Sequence, residues 1–345
     1  MKAEKHPTHD IIEAQFELLD ELGRGGTSTV YRAKERETGD IMAVKIIIAD
    51  DEDADHMRLR ERFIEEARVH ARLQHPNTIS VYAYDGHGNT FFIAMEYVDA
   101  TPLIDIIEKE APLEPERVVH IARQICGSLT EAHSNGIIHR DMKPENVLIT
   151  NVDGDENYVK IIDFGLAKKV GTNKHLTQAG VAVGSPTFMA PEQVELRKDL
   201  DERVDIYALG ALIYGALSGR APFDTGSAID RMIDKTEKPP PTMSEKVPGI
   251  VLPDGLEKIV MRCIARDRDE RYPSMEALDR VLAAWQGDPM TAEALETEIA
   301  PLPGQKRISR GTKLVLLSLT MAIVSLMATS ILIAISAIAF LLISA

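Results

Sequence analysis

Between residues 16 and 98, apolar and polar positions alternate in short runs separated by turn residues: Phe16 to Glu21, Ser28 to Lys34, Ile41 to Ile48, Ile79 to Asp85 and Thr90 to Tyr97. Runs of that length and period predict β-strands. From about Met57 to Leu73 apolar residues return every three or four positions, which predicts one helix among them. A small antiparallel sheet carrying one helix is therefore expected. Beyond residue 102 the helical period takes over, and Val118, Ile121, Ile125, Leu129 and His133 fall on one helix face. The pattern predicts an α+β chain in which a helical lobe follows a sheet lobe. Pro239-Pro240-Pro241 interrupts any helix, and after Trp285 the residues Gly287, Pro289, Pro301, Pro303 and Gly304 mark a linker, placing a domain boundary near residue 286.

From Leu314 to Ala345 the alternation gives way to 32 residues without a charge. About 20 apolar residues cross a hydrocarbon core about 30 Å thick, so a transmembrane helix is expected, which must tilt, bend or let its last turns emerge. Lys306, Arg307, Arg310 and Lys313 stand directly before it as a basic collar, which belongs on the cytoplasmic side. The start, Met1-Lys2-Ala3-Glu4-Lys5-His6-Pro7, lacks the apolar core of a secretory signal. A single pass is expected, with the preceding residues in the cytoplasm, no outer domain after Ala345 and no lipid anchor in exchange for the tail. Ser318, Ala322, Ser325, Thr329, Ser336 and Ala339 line one helix face, a stripe that would let two such helices approach as a homodimer.

Charge refines the picture. Lys and Arg number 39 against 54 Asp and Glu, a net charge of -15. Residues 286 to 303 contribute -4 and residues 304 to 313 contribute +4, so residues 1 to 285 hold the whole excess. That acidity argues against a nucleic-acid partner. With 44% hydrophobic and 27% charged residues, the part before the linker is large enough for two cores and is neither disordered nor fibrous. The run Asp50-Asp51-Glu52-Asp53-Ala54-Asp55 reads as a solvated loop. The two cysteines, Cys126 and Cys263, lie far apart inside amphipathic runs and read as small core residues in a reducing compartment.

Candidate chemistry collects at the joints between elements. Leu22-Gly23-Arg24-Gly25-Gly26-Thr27-Ser28-Thr29-Val30 is a glycine-rich turn whose small residues let backbone N–H groups approach phosphate oxygens, although a tight hairpin has the same composition. The next strand holds Ala43-Val44-Lys45, an ammonium beside that turn; a lysine there is either solvent-facing or a phosphate partner. Glu61, Glu65 and Glu66 on the predicted helix offer a carboxylate to aim it. More specific is His139-Arg140-Asp141-Met142-Lys143-Pro144-Glu145-Asn146, followed by Asp163-Phe164-Gly165 after the apolar run Val159 to Ile162. Such a set of carboxylates, lysine and amide suits a magnesium–nucleotide site: Asn146 and Asp163 supply hard-metal oxygens, and Asp141 can accept a proton from an attacking hydroxyl. No His or Cys cluster competes for a metal.

With Ala190-Pro191-Glu192, these motifs stand in the order and spacing of eukaryotic-type serine/threonine protein kinases, and the chain most resembles the membrane-anchored bacterial ones, over residues 16 to 285. The resemblance implies the bilobal protein-kinase fold: an extension over 1–15, the N-lobe over 16–98, the C-lobe over 99–285, a juxtamembrane linker over 286–313 and a transmembrane helix over 314–343. It implies ATP with Mg²⁺, or Mn²⁺ in its place, and protein substrates. By similarity the turn from Leu22 to Val30 covers the phosphates, Lys45 holds the α- and β-phosphates, and Glu66 pairs with Lys45, or Glu65 if the helix register is one residue off. Met95 is the implied gatekeeper, the backbones of Glu96 and Val98 meet adenine, and Val30, Ala43 and Leu148 sandwich its ring. Asp141 is the implied catalytic base, Lys143 meets the γ-phosphate, and Asn146 and Asp163 hold the metal. Lys143-Pro144-Glu145 and Gly184-Ser185-Pro186 resemble the serine/threonine branch. Ser28 stands for the family's third glycine and Ser185 for its usual threonine, both still small. Phe164, His139, Val81 and His70 correspond to a stacked column, and Glu192 and Arg271 to a structural ion pair.

Arg140 beside Asp141 implies control by activation-loop phosphorylation, and of the loop hydroxyls Thr177 is the expected autophosphorylation site, with Thr172 second. The chain is thus expected to be a serine/threonine protein kinase anchored to the cytoplasmic face of the cell membrane. The alternative is a membrane-tethered pseudokinase scaffold. The presence of Lys45, Asp141, Asn146 and Asp163 together favours the enzyme.

Overall fold

Five antiparallel strands, β1 (Phe16–Arg24), β2 (Ser28–Glu35), β3 (Ile41–Ile48), β4 (Val81–His87) and β5 (Thr90–Glu96), form a sheet in the order β1-β2-β3-β5-β4. In the computed structural model the described residues are 9–25, 28–48, 56–87, 89–164, 186–287 and 295. β3 is buried almost throughout because both faces of the sheet are covered. Ala43 and Ile47 face a core shared with Phe63 and Ala67 of helix α2 (His56–His70), whereas Met42 and Val44 face a second core with Phe92 and Phe16. Ile12 of helix α1 (His9–Gln15) closes that second core. Residues 1–15 were expected only as an extension, and a helix of 7 residues is too short to show a period. β4 starts two residues later than the alternation predicts. The reason is that Ile79 donates its N–H to the Ile161 carbonyl (3.0 Å) and Ile161 donates to Asn77 (2.8 Å), so this segment is drawn out of the sheet toward the next lobe.

The helical lobe contains α3 (Leu103–Glu110), α4 (Pro115–Ser134), the short α5 (Pro191–Val194), α6 (Arg203–Ser218), α7 (Ala228–Glu237), α8 (Met243–Lys246), α9 (Leu256–Cys263) and α10 (Met275–Gly287). Buried at 14 of its 16 positions, α6 forms the axle of this core. Gly219, at φ 71°, ends it with its N–H on the Gly215 carbonyl. The face of α4 foreseen from the sequence is inward, and Val118, Ile121, Ile125, Leu129 and His133 are all buried. Cys126 and Cys263 are free thiols in this core. The helical period did not disclose a small second sheet, β6 (Thr101–Pro102), β7 (Val147–Val152) and β8 (Asp155–Ile161), ordered β6-β7-β8.

The α7 helix stops at Glu237 before the three prolines. Near the end of α10, Trp285 is buried and donates its Nε1–H to the Asp254 carbonyl at 3.0 Å. Leu295, in the stretch read as linker, packs against the helical core. The expected membrane segment, 314–343, lies outside the described residues, as do the acidic run at 50–55 and the loop positions Thr172 and Thr177. Among the described residues no helix is long and apolar enough to cross a membrane.

Candidate active site

The glycine-rich turn joins β1 to β2, with Gly23 opposite Val30 and Arg24 opposite Thr29. Gly25 donates its N–H to the Ser28 carbonyl at 2.7 Å, and a Cβ there would press on the Ser28 hydroxyl at 3.3 Å. A Cβ at Gly23 would meet nothing, so open space lies beside the backbone. Arg24 turns its guanidinium back onto Glu21 (2.6 and 3.0 Å), leaving only its backbone for the turn, and that hydrogen bond holds the Glu21 carboxyl below its ordinary range. Leu22 is exposed, and Ser28, Thr29 and Val30 are half-buried. Gly26 and Thr27 lie outside the described residues.

Lys45 pairs across the sheet with Val30 on one side and Ile93 on the other, which carries it beneath the turn. Its ammonium is buried and meets Asp163 Oδ1 at 2.6 Å. The Glu66 side chain lies outside the described residues. Glu65 does not replace it, being exposed and bonded to Arg68 at 3.0 Å one turn on. Met95 stands opposite Ala43 on β5, and both share a cluster against which Val30 and Val98 pack. Leu148, half-buried on β7, belongs to the other lobe. Glu96 donates its N–H to the Ser80 carbonyl (2.9 Å), and its carboxylate accepts from the Ser80 N–H and pairs with Lys160 (2.8 Å). Sequence reasoning passed over Lys160, whose partner lies 64 residues away.

The catalytic-loop motif is held from below by Asp205, a lone carboxylate in the otherwise apolar α6. Its Oδ2 accepts from the His139 N–H (2.8 Å) and from the His133 ring (2.8 Å), and its Oδ1 accepts from the Arg140 N–H (2.8 Å). Burial pushes this carboxyl up, yet the His133 bond and the neighbouring donors outweigh burial and keep it below its ordinary value. The sequence signal for Asp205 is one acid in an apolar run, which does not say what the acid holds. Arg140 and Asp163 both adopt φ near +60°, a strained conformation at the two ends of the site. Burial lowers the pKa of His139, so the neutral ring is favoured. In one tautomer Nδ1 accepts from the Asp141 N–H (3.3 Å) while Nε2–H donates to the Ile162 carbonyl (3.2 Å). The Phe164 ring lies tilted against both His139 (4.7 Å) and His70 (5.8 Å), and Phe164, His70, Val81 and Met95 line a cavity of about 20 Å³.

Asn146 donates its amide N–H to the Asp141 carbonyl at 2.7 Å and accepts at its backbone carbonyl from the Ile162 N–H at 3.0 Å. Those bonds bring it beside Asp163. Its Oδ1 and the second oxygen of Asp163 are hard oxygen donors of the kind that would fit a Mg²⁺ ion completed by phosphate oxygens and water. Among the described residues no group of three His, Cys, Asp or Glu forms a competing metal site. Lys143 Nζ lies 3.8 Å from Asp141 Oδ2. Behind the loop, Glu192 of α5 and Arg271 form a buried bidentate pair at 2.7 and 2.9 Å. Gln193, beside it, donates to the Arg140 carbonyl (3.0 Å) and accepts from the Ala190 N–H (3.0 Å).

Residues 16–282 match the protein kinase domain family. The chain is 34% identical to the serine/threonine-protein kinase Pkn1 of Myxococcus xanthus over 286 residues, covering 82% of this chain and 40% of that protein. It is 32% identical to the serine/threonine-protein kinase PknB of Mycobacterium leprae (strain TN), covering 85% of this chain and 46% of that one. The chain therefore spans about half the length of the curated relatives it matches. Among solved structures, that of Rad53 1-466 in complex with AMP-PNP superposes with a TM-score of 0.64 at 26% identity, over 78% of this chain and 65% of that one.

Proposed function

The chain belongs to the protein kinase family, and we propose that it is a serine/threonine kinase that transfers the γ-phosphoryl group of ATP to serine or threonine hydroxyls of proteins. The observation that carries this reading is the convergence, at the junction of the lobes, of Lys45 on Asp163 and of Asn146 on Asp141. When bound, Mg²⁺–ATP supplies the phosphoryl donor and the neutralising metal charge. The protein's share is placement and charge, which suits a transfer that needs little covalent help.

Lys45 and Asp163 fix one another across the cleft, one as phosphate partner and the other as metal ligand. Asn146 would be the second metal ligand, oriented by its bond to the loop. Asp141 accepts the proton of the attacking hydroxyl at its carboxylate, while Lys143 lies near enough to offset charge on the transferring group. The slot formed by Val30, Ala43, Met95, Val98 and Leu148 takes the adenine ring, and the glycine turn covers the phosphates. Lys143-Pro144-Glu145 and the similarity to bacterial serine/threonine-protein kinases both favour serine and threonine over tyrosine. The nucleotide analogue of the Rad53 complex supports ATP as donor.

The uncharged stretch 314–345 with its basic collar supports a single-pass anchor that holds the kinase at the cytoplasmic face. The small-residue stripe supports a homodimer in which one copy phosphorylates Thr177, or Thr172, of the other. The test is phosphate transfer from ATP to matched peptides that differ only in a central serine, threonine or tyrosine. Transfer to the first two is expected. Transfer to tyrosine alone, or nucleotide binding without transfer to any, contradicts the proposal, the second outcome favouring a scaffold.

A further inference from the structure

Lys235 on α7 is 1% exposed, although a lysine so deeply buried ordinarily needs a carboxylate. Among the described residues it has none. Its ammonium instead donates to two main-chain oxygens, those of Thr187 (2.5 Å) and Met189 (2.8 Å), and sits 5.3 Å from the ring centre of Tyr207. Arg271, paired to Glu192, lies over the same ring at 4.9 Å. Two carbonyls two residues apart, gripped by one cation, set the curvature of the chain between them. That stretch runs on to Ala190, whose N–H is held by Gln193, which in turn holds the Arg140 carbonyl next to Asp141. Residues 187–190 are therefore clamped at one end by Lys235 and tied at the other to the loop that carries the base.

A peptide that offers its hydroxyl to Asp141 must lie along the surface beside that loop. We propose that Lys235 is a positioning residue for protein substrates, shaping residues 187–190 into the ledge on which the peptide backbone rests. This rests on the kinase reading and adds to it a determinant of substrate affinity remote from the nucleotide. The clamp is also charge-dependent. Burial first, and then the Arg231 guanidinium on the same helix, bring the Lys235 ammonium down to about 7. The groups facing it are Arg231 on α7, the Tyr207 ring on α6, and beyond that ring the Arg271–Glu192 pair. Below pH 7 the ammonium holds both carbonyls by charge-assisted bonds; above it a neutral amine holds them more weakly. Affinity for the peptide then falls as pH rises, with little change for ATP.

The experiment is steady-state kinetics of the full chain in detergent, with ATP and a serine-centred degenerate peptide mixture, for wild type, Lys235→Gln and Lys235→Arg. Removing a charge-assisted bond pair should raise the peptide KM of Lys235→Gln about tenfold, with kcat and the ATP KM within about twofold. Between pH 6.5 and 8.5 the wild-type peptide KM should rise, and that of Lys235→Arg, charged throughout, should stay flat. An unchanged peptide KM for Lys235→Gln, or equal losses in kcat and both KM values, overturns the inference. Should Lys235→Gln not fold, superimposable pH profiles for wild type and Lys235→Arg overturn it alone. A wild type that phosphorylates no peptide removes the kinase reading, and this inference with it.

Discussion

Asp205 accepts three hydrogen bonds, two from the backbone N–H groups of His139 and Arg140 in the loop that presents Asp141 and the third from the His133 ring on α4. Asp205→Ala should therefore cost about 3–5 kcal/mol, the usual penalty for removing one member of a buried charged network, measured by urea unfolding of the full chain in detergent. Activity in whatever folded fraction remains should fall through kcat, with the ATP KM little changed. His139 gives a pH prediction. Its pKa is lowered in the fold, so the unfolded chain takes up a proton first on acidification. Stability should thus fall as pH drops through about 6.5, the ordinary imidazole value, and His139→Phe should flatten that slope. Parallel slopes for the two proteins would sink the assignment. At this scale the reach of sequence reasoning follows the range of the contact. Lys45, Asp141, Asn146 and Asp163 are legible because each stands in a short run whose composition already suggests its chemistry. Asp205 and Lys235 are not, because they meet their partners 66 and 48 residues away and only the fold reveals what they hold.

Packing between helices decides the next scale. Gly210 of α6 faces α9, where an added Cβ would lie 2.4 Å from the Cys263 Cβ and 2.9 Å from Ile264 Cγ2. Gly210→Ala should destabilise by about 1–3 kcal/mol through overpacking. Gly215, five residues on, has open space where a Cβ would stand, so Gly215→Ala should gain about 0.5–1 kcal/mol from helix propensity. Thermal unfolding of the two variants side by side checks both, and equal shifts would contradict the packing. The α5 end is fixed by the Glu192–Arg271 pair, and Glu192→Gln should destabilise by about 3–5 kcal/mol because it removes the counter-charge of a fully buried guanidinium. The long elements that carry a pattern could be read from it: β3 spans the run from Ile41 to Ile48, and α4 buries the face its period marks. The short ones could not. α1 has too few residues for a period, and β6 to β8 form a ribbon whose two-residue first strand has no alternation to read.

For the whole molecule, the acidic sheet and helix lobes and the uncharged tail have opposite solvent preferences, and the basic collar marks the change between them. The full chain should float with phosphatidylglycerol vesicles in a density gradient, whereas a chain ending at residue 313 should lose most of that binding. Equal flotation would contradict the anchor. The cleft between the lobes is the part on which function depends, since Lys45 comes from one side and Asp141, Asn146 and Asp163 from the other. The most direct measurement is the intact mass, with phosphopeptide mapping, of the full chain after incubation with Mg²⁺ and ATP, beside Asp141→Asn. Wild type should gain phosphate on serine or threonine, and the variant should be slower by roughly 10²- to 10⁴-fold. Equal phosphate on both proteins, or none on either while ATP still binds, would contradict the assignment of Asp141 as the base of a phosphotransfer site.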